Sequence, residues 1–339
     1  MAAPKVSVAL PCCNCAATLP DALDSLLSQT LAEIEILAAD DGSTDSTPDI
    51  LRAYAGRDAR VRPLFLAHGG IVAALNACLE QAQAPYVARM DADDLSLPER
   101  LDIQARMLDA DPGLGLVGCK VRFGGDRKAR AGYAHYVDWI NGLIRHEQIF
   151  LNRFVESPFA HPSLVFRRQV VEEHGPYRAG EFPEDYELIL RLLEAGVRME
   201  KAAQELLVWN DPPDRLSRTH PSYGVEAFYQ LKTGFLARWL AAHNPHHPDV
   251  IVLGAGRTTR KRADLLLEHG VNIVAYADID PRKIGRTVHG RPVLHRDELP
   301  PAGQAFCLSY VGSRGAREEI GAFLRERGWE EGKDCLMVG

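Results

Sequence analysis

The sequence predicts an α/β fold in two units, and two observations support this. Apolar, β-branched segments alternate with helical segments over roughly the first hundred residues, and the alternation restarts near residue 250. Apolar strands separated by helices form a mostly parallel sheet that is covered on both faces. The predicted division is a first domain at 1–243, a linker at 244–249 and a small second domain at 250–339.

The first half of the chain supplies strands with helices between them. The predicted strands are 5–10, 34–39, 61–66 and 86–90, and the predicted helices are 19–31, 47–54 and 71–81. Ligands of parallel sheets bind outside the carboxyl ends of the strands. Three polar clusters fall at those ends, at 11–14, 40–45 and 91–94. These clusters are therefore the candidates for a binding site.

The middle of the chain alternates less regularly. Its predicted elements are a strand at 116–123, a polar loop at 124–134, a strand at 161–166 and helices at 168–174, 184–195 and 222–243. After the linker, a strand at 250–253, a helix at 258–269 and a strand at 271–277 predict a Rossmann-like domain. Gly254 and Gly256 form half of a dinucleotide-binding pattern, and Thr259 stands in place of its third glycine. The pattern leaves open a ligand site or a module for positioning and dimerisation.

Composition and charge exclude several classes of protein. The chain has 339 residues and a net charge of −7, which argues against a nucleic-acid binder because phosphate backbones need clustered Lys and Arg. No apolar window reaches the ~20 residues of a transmembrane helix, and the start does not resemble a signal peptide. The 7 cysteines predict reduced thiols in a cytoplasmic protein, and a zinc site is not expected.

The acidic cluster at 91–94 is the first candidate site. Asp91, Asp93 and Asp94 follow a predicted buried strand, and carboxylates this close repel one another. A divalent cation removes that conflict, and Mg²⁺ or Mn²⁺ suits hard oxygen ligands. The alternative is an acidic helix start, since Pro98 begins a helix well and Asp favours its amino-terminal end.

A second acidic turn lies at 40–45, after another strand. A carboxylate there can accept hydrogen bonds from a uracil N–H or a ribose hydroxyl, and we assign this contact to Asp41. The alternative is an Asx-turn with a helix cap, for which Asp45 or Ser46 is suited.

Four segments in order resemble glycosyltransferase family 2: VSVALPCCN at 6–14, DSLLSQT at 24–30, DDGSTD at 40–45 and DADD at 91–94. The resemblance implies a GT-A fold and transfer with inversion. It also implies that Pro11, Asn14 and Asp41 bind the nucleoside, that Asp91 serves the nucleotide and metal, and that Asp93 binds the metal directly. The sequence departs at Cys13, where the family often carries an aromatic residue.

An inverting transfer needs a general base for the acceptor hydroxyl. The segment EFPEDY at 181–186 is similar to the family's Glu-Asp motif, which implies Asp185 as the base and Glu184 as its orienter or an acceptor contact. The alternative is a pair of acids in the first turn of a helix.

Weaker candidates follow from the same resemblance. Gly70 matches a helix start that lines the donor pocket, and His161 matches a strand beside the acceptor, although a buried structural histidine is an equal alternative. Arg215 or Arg218 could clamp a phosphate. Asp211 or His220 could complete the metal shell, and Ser217 lies in the same segment.

The resemblance thus predicts a metal-dependent transferase. Its donor is a nucleotide-diphosphate sugar, UDP-linked, its acceptor is a glycan or a lipid-linked hydroxyl, and its cofactor is Mn²⁺ or Mg²⁺. Peripheral membrane contact and a homo-oligomer formed through the C-terminal domain stay open. The alternatives are a sugar nucleotidyltransferase, against which the absence of a Gly-rich basic loop at 11–14 counts, and a nucleotide-sugar sensor or scaffold.

Overall fold

The computed structural model describes residues 3–212, 215, 218, 220–313 and 315–339. Contacts group the chain into two units, residues 1–149 with 158–220, and residues 150–157 with 221–339. The helix Val225–His243 lies in the second unit, where the Lys232 Nζ donates to the carbonyl oxygens of Val155 (3.1 Å) and Val338 (2.8 Å). The contacts thus place the division before this helix, whereas the sequence placed it at 244–249.

The first unit is built on one mixed sheet. Among the described residues its strand order is β3-β2-β1-β4-β7-β6-β8-β5. The strands are β1 (Val6–Cys12), β2 (Ile34–Asp41), β3 (Val61–Leu66), β4 (Tyr86–Arg89), β5 (Leu95–Ser96), β6 (Leu114–Phe123), β7 (Val165–Arg167) and β8 (Arg198–Trp209). Strands β3, β2, β1 and β4 are parallel, and β6 is parallel to β8. Strand β7 runs antiparallel to β4 and β6. The predicted α/β class with a mostly parallel sheet is confirmed.

Strand β1 continues through Pro11, where the sequence analysis ended it. Pro11 lacks an N–H, so a central strand tolerates it only where no partner needs that donor. Pairing of β1 with β4 ends at Ala9, while pairing with β2 continues to Cys12. Pro11 therefore lies beyond the β4 ladder.

Helices cover the sheet of the first unit. They are α1 (Leu19–Leu27), α2 (Thr47–Arg57), α3 (Ile71–Gln81), α4 (Arg100–Ala110), α5 (Ala131–Gly142), α6 (His146–Asn152), α7 (Arg168–His174) and α8 (Glu184–Glu194). The apolar residues of α1 at helical spacing, Leu19, Leu23 and Leu26, are fully buried in the same core as strands β1 and β2. The predicted bounds of β3, α3 and α7 match the structure.

The strand directions bring the candidate residues to one edge of this sheet. The parallel strands β1, β2 and β4 end there, and so does β8. Because β7 is antiparallel, it begins at this edge, and the Arg89 N–H donates to the Leu164 carbonyl (2.8 Å) just before β7. The segment at 161–166, predicted as one strand, is a 3₁₀ turn (His161–Ser163) followed by β7, because Pro162 supplies no ladder donor.

The second unit is a smaller Rossmann-like sheet. Its order among the described residues is β11-β12-β10-β9-β13-β14. The strands are β9 (Asp249–Leu253), β10 (Asn272–Asp278), β11 (Thr287–Val288), β12 (Arg291–His295), β13 (Cys307–Ser309) and β14 (Cys335–Met337), and the helices are α9 (Val225–His243), α10 (Arg257–Ala263) and α11 (Ala316–Glu326).

The partial dinucleotide pattern lies after β9. Gly254 adopts φ 93°, and Gly256 precedes α10. The Asp278 carboxylate, at the position where a ribose-binding acid would stand, accepts the Ala255 N–H (2.7 Å) and pairs with the Lys283 Nζ (3.0 Å). The Asp278 carboxylate is therefore already hydrogen-bonded to Ala255 and paired with Lys283 within the protein. No helix in the described part of the chain has the length and apolar character needed to cross a bilayer.

Candidate active site

The acidic cluster lies directly after β4. The carboxylate oxygens of Asp91, Asp93 and Asp94 all lie within 4.8 Å of one another. A turn and the short strand β5 follow, and helix α4 begins only at Arg100. The alternative of an acidic helix start is therefore wrong for this cluster.

Asp94 is the most buried member of the cluster, with 1% of its surface exposed. Asn210 follows β8, and its N–H donates to the Asp94 Oδ1 (2.8 Å). The Asp94 Oδ2 has no hydrogen-bond partner among the described residues. Burial, together with the charges of Asp91 and Asp93, raises the pKa of the Asp94 carboxyl well above its usual range. The sequence left Asp94 either in the acidic cluster or at the start of a helix. In the structure, Asp94 joins the cluster to the end of β8.

Arg89 contacts the acidic cluster and was not among the residues predicted from the sequence. It is the last residue of β4, only 2% exposed, and its guanidinium forms an ion pair with Asp91. The fully buried Arg100 donates from Nη2 to the Arg89 carbonyl (2.6 Å) and so holds the end of the strand. An arginine inside an apolar strand, directly before three acids, was the available signal.

Asp93 is a member of the cluster whose pKa lies near neutral pH. Burial and the negative charge of Asp91 raise the pKa of Asp93 to about 6, against the lowering influence of Arg215. The Asp93 carbonyl accepts the side-chain N–H of Asn210 (2.6 Å), which fixes the backbone of the turn. A cation placed among these oxygens would relieve the repulsion that raises this pKa.

Asp41 organises the second cluster, at the end of β2. It is 3% exposed, and its Oδ1 and Oδ2 accept the N–H groups of Gly69 (2.7 Å) and Gly70 (2.9 Å). Gly70 adopts φ 84°, a conformation that favours glycine, and it precedes α3. Asp41 thus shapes the turn that leads into α3, and its Oδ2 also lies 2.9 Å from the His68 Nδ1.

Asn14 joins the loop after β1 to the turn after β2. Its N–H donates to the Ser43 Oγ (2.8 Å), and its Oδ1 accepts the Thr44 N–H (2.8 Å). Asn14 is one of the non-glycine residues with positive φ, at 49°. Pro11 lies within β1 beside Ala39. The predicted Asx-turn is present, since the Asp45 Oδ1 accepts the Thr47 N–H (2.9 Å), and the Asp45 Oδ2 accepts the Ala16 N–H (3.0 Å). The N-cap residue of α2 is Ser46, whose side chain makes no capping hydrogen bond.

Asp185 and Glu184 begin α8. Glu184 is 4% exposed, while Asp185 is half-buried and its Oδ1 accepts the Tyr186 N–H (2.7 Å). Burial raises the pKa of the Asp185 carboxyl, although the Tyr186 N–H and the charges of Arg89 and Arg215 oppose the shift. Arg89 acts electrostatically on both Asp91 and Asp185, which places the predicted base close to the acidic cluster.

His161 is a buried histidine with a defined partner. Its Nε2 lies 2.8 Å from the Tyr177 hydroxyl, and the two rings are 5.4 Å apart. Burial, followed by the charge of Arg89, lowers the pKa of His161 well below its usual range. The imidazole is therefore neutral, and Tyr177 is a second residue that the sequence analysis missed.

The segment after β8 carries the remaining candidates. The Arg215 guanidinium stacks on the rings of Trp209 (4.3 Å) and Tyr133 (5.0 Å). Burial opposes ionisation of Arg215, but Tyr133 and the cluster of Asp91, Asp93 and Asp94 raise its pKa. Arg218 pairs with Asp211, whose side chain is fully buried, and the Arg215 Nη1 lies 3.9 Å from the same carboxylate. His220 is exposed, and Ser217 lies outside the described residues. The charges of the acidic cluster thus act on Arg215.

Comparisons with known proteins agree with this geometry. Residues 7–175 match the family described as Glycosyl transferase family 2. An O-antigen biosynthesis glycosyltransferase of Escherichia coli is 30% identical over 216 residues, which cover 62% of this chain and 81% of the relative. An amylovoran biosynthesis glycosyltransferase of Erwinia amylovora is 33% identical over 186 residues, which cover 52% of this chain and 65% of the relative.

Two solved structures share the fold. S. aureus TarS 1–349 in complex with UDP-GlcNAc has a TM-score of 0.54 at 18% identity, covering 78% of this chain and 71% of that one. The Pyrobaculum calidifontis mannosyltransferase in complex with GDP-Man and Mn²⁺ has a TM-score of 0.50 at 20% identity, covering 79% and 69%. The family match and the 30% identical relative, of which this chain covers 81%, show that the chain belongs to glycosyl transferase family 2 and is a glycosyltransferase.

Proposed function

We propose that this glycosyltransferase moves a sugar from a UDP-linked donor to a hydroxyl of a glycan or lipid-linked acceptor, with inversion at the anomeric carbon. The observation that carries the proposal is the convergence of Asp41, the acidic cluster and Asp185 on one unit of the fold. Similar chains bind UDP-GlcNAc, or GDP-Man with Mn²⁺. Asp41 offers an acceptor for the base N–H, which a uracil supplies.

The donor end of the site is held by backbone contacts. Asn14 fixes the turn after β2 through Ser43 and Thr44, and Asp41 fixes Gly69 and Gly70. Such preorganised groups bind a nucleoside without paying further ordering entropy. Gly70 and Pro11 are the remaining proposed nucleoside contacts.

The residues of the acidic cluster fit a divalent metal ion. Hard carboxylate oxygens within 4.8 Å of one another suit Mg²⁺ or Mn²⁺, and the Oδ2 of the buried Asp94 has no hydrogen-bond partner among the described residues. Asp93 is the proposed direct ligand, with Asp91 beside it. A bound ion would offset the charge of the leaving diphosphate. Arg215 is proposed to orient that diphosphate.

Asp185 is the proposed general base. Its raised pKa makes the carboxylate a stronger proton acceptor than a solvent-exposed aspartate, while the Tyr186 N–H fixes one oxygen. The other oxygen remains for the acceptor hydroxyl. Glu184, buried in the same helical turn, is proposed to orient it, and His161 with Tyr177 to line the acceptor side.

The test is release of nucleoside diphosphate across a panel of UDP- and GDP-sugars with Mn²⁺ or Mg²⁺. Asp185→Asn keeps the acceptor for the Tyr186 N–H and removes the base, so kcat should fall by roughly 10²–10⁴-fold. Asp93→Ala should abolish metal-dependent turnover. Asp138→Asn, at an exposed carboxylate on α5, is the matched control and should retain activity. Undiminished turnover in both site variants would refute the proposal.

Ligand binding can distinguish the contacts to the nucleoside from the metal-dependent contacts to the diphosphate. Calorimetry should show that UDP binds more weakly after chelation of the metal, whereas uridine, which lacks the diphosphate, binds equally with and without it. Equal UDP binding under both conditions would contradict the metal assignment to Asp91 and Asp93.

A further inference from the structure

We propose that Cys13, Asp41 and His68 form a second metal site, one that binds Zn²⁺. Their ligand atoms, a thiol sulfur, a carboxylate oxygen and an imidazole nitrogen, all lie within 4.8 Å of one another. The three residues follow or end the parallel strands β1, β2 and β3. The sequence predicted no zinc site because these residues are far apart along the chain, and only the sheet brings them together.

The geometry needs little rearrangement to hold an ion. The His68 Nδ1 lies 2.9 Å from the Asp41 Oδ2, and the Cys13 Sγ lies within 4.8 Å of ligand atoms of both residues. The ligands of a tetrahedral zinc ion lie roughly 3.3–3.6 Å apart. The exposed side chains of His68 and Cys13 are free to adjust by such a difference.

The carboxylate of this site is already oriented. Asp41 is 3% exposed, and the N–H groups of Gly69 and Gly70 hold its two oxygens at 2.7 Å and 2.9 Å. At protein metal sites, each ligand is oriented by hydrogen bonds from neighbouring groups that do not themselves bind the ion. The buried, fixed acid thus supplies the rigid part, while Cys13 and His68 close over it.

The ligand set selects a different ion from that of the acidic cluster. Thiolate and imidazole favour Zn²⁺, whereas carboxylates alone favour Mg²⁺ or Mn²⁺. Three protein ligands leave a fourth position open, to water or to a ligand. Zinc binding releases the Cys13 thiol proton into solution, while the neutral His68 ring binds through Nδ1 with its proton on Nε2. The different ligand sets would let the two metals occupy separate sites.

Zinc at this position would compete with the donor. This consequence rests on the proposed function, in which Asp41 contacts the nucleoside. A zinc ion on the Asp41 carboxylate would occupy the place of the base N–H. Zinc should therefore raise the KM for the UDP-sugar without lowering kcat, and Cys13→Ser should remove this sensitivity.

Cobalt gives a direct readout of the site. The full chain, stripped with a chelator and supplied with excess Mg²⁺ to fill the acidic cluster, is titrated with Co²⁺. Ligation by Cys13 should produce a thiolate-to-cobalt charge-transfer band in the near ultraviolet, and Zn²⁺ should displace it. Cys13→Ser should lose the band, and His68→Gln should weaken cobalt binding at least about tenfold. Cys15→Ser is the matched control, because Cys15 is a nearby thiol outside the cluster and should keep the band.

The outcomes separate this proposal from the proposed function, because the band is read without turnover. No band in the parent chain, a band that persists in Cys13→Ser, or its loss in Cys15→Ser would overturn the zinc site. A chain that shows the expected bands but releases no nucleoside diphosphate from any donor would contradict the proposed function and support the zinc site.

Discussion

Replacing Asp94 in two ways tests the electrostatics of the acidic cluster. Asp94→Ala removes the acceptor of the Asn210 N–H, a hydrogen bond of 2.8 Å at a residue that is 1% exposed. Leaving a buried donor unsatisfied costs about 1–3 kcal/mol. Asp94→Asn keeps an oxygen for that N–H and cannot ionise, so its free energy of unfolding should lie well above that of Asp94→Ala.

The pH dependence separates charge from hydrogen bonding. The folded pKa of Asp94 is raised above its unfolded value of about 3.9. At pH values between the unfolded pKa and the folded pKa, the folded state therefore binds more protons than the unfolded state. The contribution of Asp94 to stability is complete below that unfolded value and is lost as the pH rises through the raised folded pKa. The uncharged side chain of Asp94→Asn does not titrate, so this variant keeps its stability as the pH rises through that range.

Urea unfolding in the presence of a chelator, at pH 5 and at pH 8, measures this difference. Asp94→Asn should gain stability relative to the parent chain between these two pH values, while Asp94→Ala should be the least stable at pH 5. A difference between parent and Asp94→Asn that stays constant with pH would refute a raised pKa. Equal destabilisation by Asn and Ala would refute the hydrogen-bond argument.

Three further changes test other parts of the first unit. Gly70→Ala forces a side chain onto φ 84° and should cost about 1–3 kcal/mol by urea unfolding, with a raised KM for the donor because the Gly70 N–H holds Asp41. Tyr177→Phe leaves the buried His161 without its hydroxyl partner at 2.8 Å and should cost about 1–3 kcal/mol, whereas a neutral result would contradict that pairing. Burial lowers the pKa of Lys201 to about 7, so the unfolded chain binds more protons above that pH and stability should rise from pH 7 to pH 9; Lys201→Met should flatten this rise.

The strands that carry the site could be predicted because their signals are local. Strands β1 to β4 are apolar runs that stop at polar turns, and the bounds of β3 match at both ends. Strand β8, by contrast, mixes apolar residues with the charged residues Glu200, Lys201 and Glu205. Glu205 is exposed, whereas Lys201 is buried and its Nζ donates to backbone carbonyls. A charged residue that finds its partner across the sheet gives no pattern within its own segment, so β8 was missed.

The same reasoning explains which site residues were found. Asp41, Asp93 and Asp185 stand in short motifs, so a sequence can point to them. Tyr177 pairs with His161 in another segment, and nothing in its own segment specifies that partner. Arg89 pairs with the nearby Asp91, so its signal, an arginine in an apolar strand beside three acids, was local and was overlooked. The direction of β7 decides that His161 and Tyr177 lie beside the end of β4, and no local pattern encoded that direction.

Arg89 and Asp94 together set the charge that the acidic cluster presents to a ligand. With Asp94 holding its proton, as its raised pKa favours, Asp91 and Asp93 carry two negative charges, and the Arg89 guanidinium that pairs with Asp91 offsets one of them. A divalent ion would turn this into one positive charge, which attracts the donor diphosphate, whereas the cluster alone repels it. A fully ionised cluster would remain neutral after taking the ion. The burial of Asp94, which costs stability at high pH, would thus favour joint binding of the proposed metal and the donor.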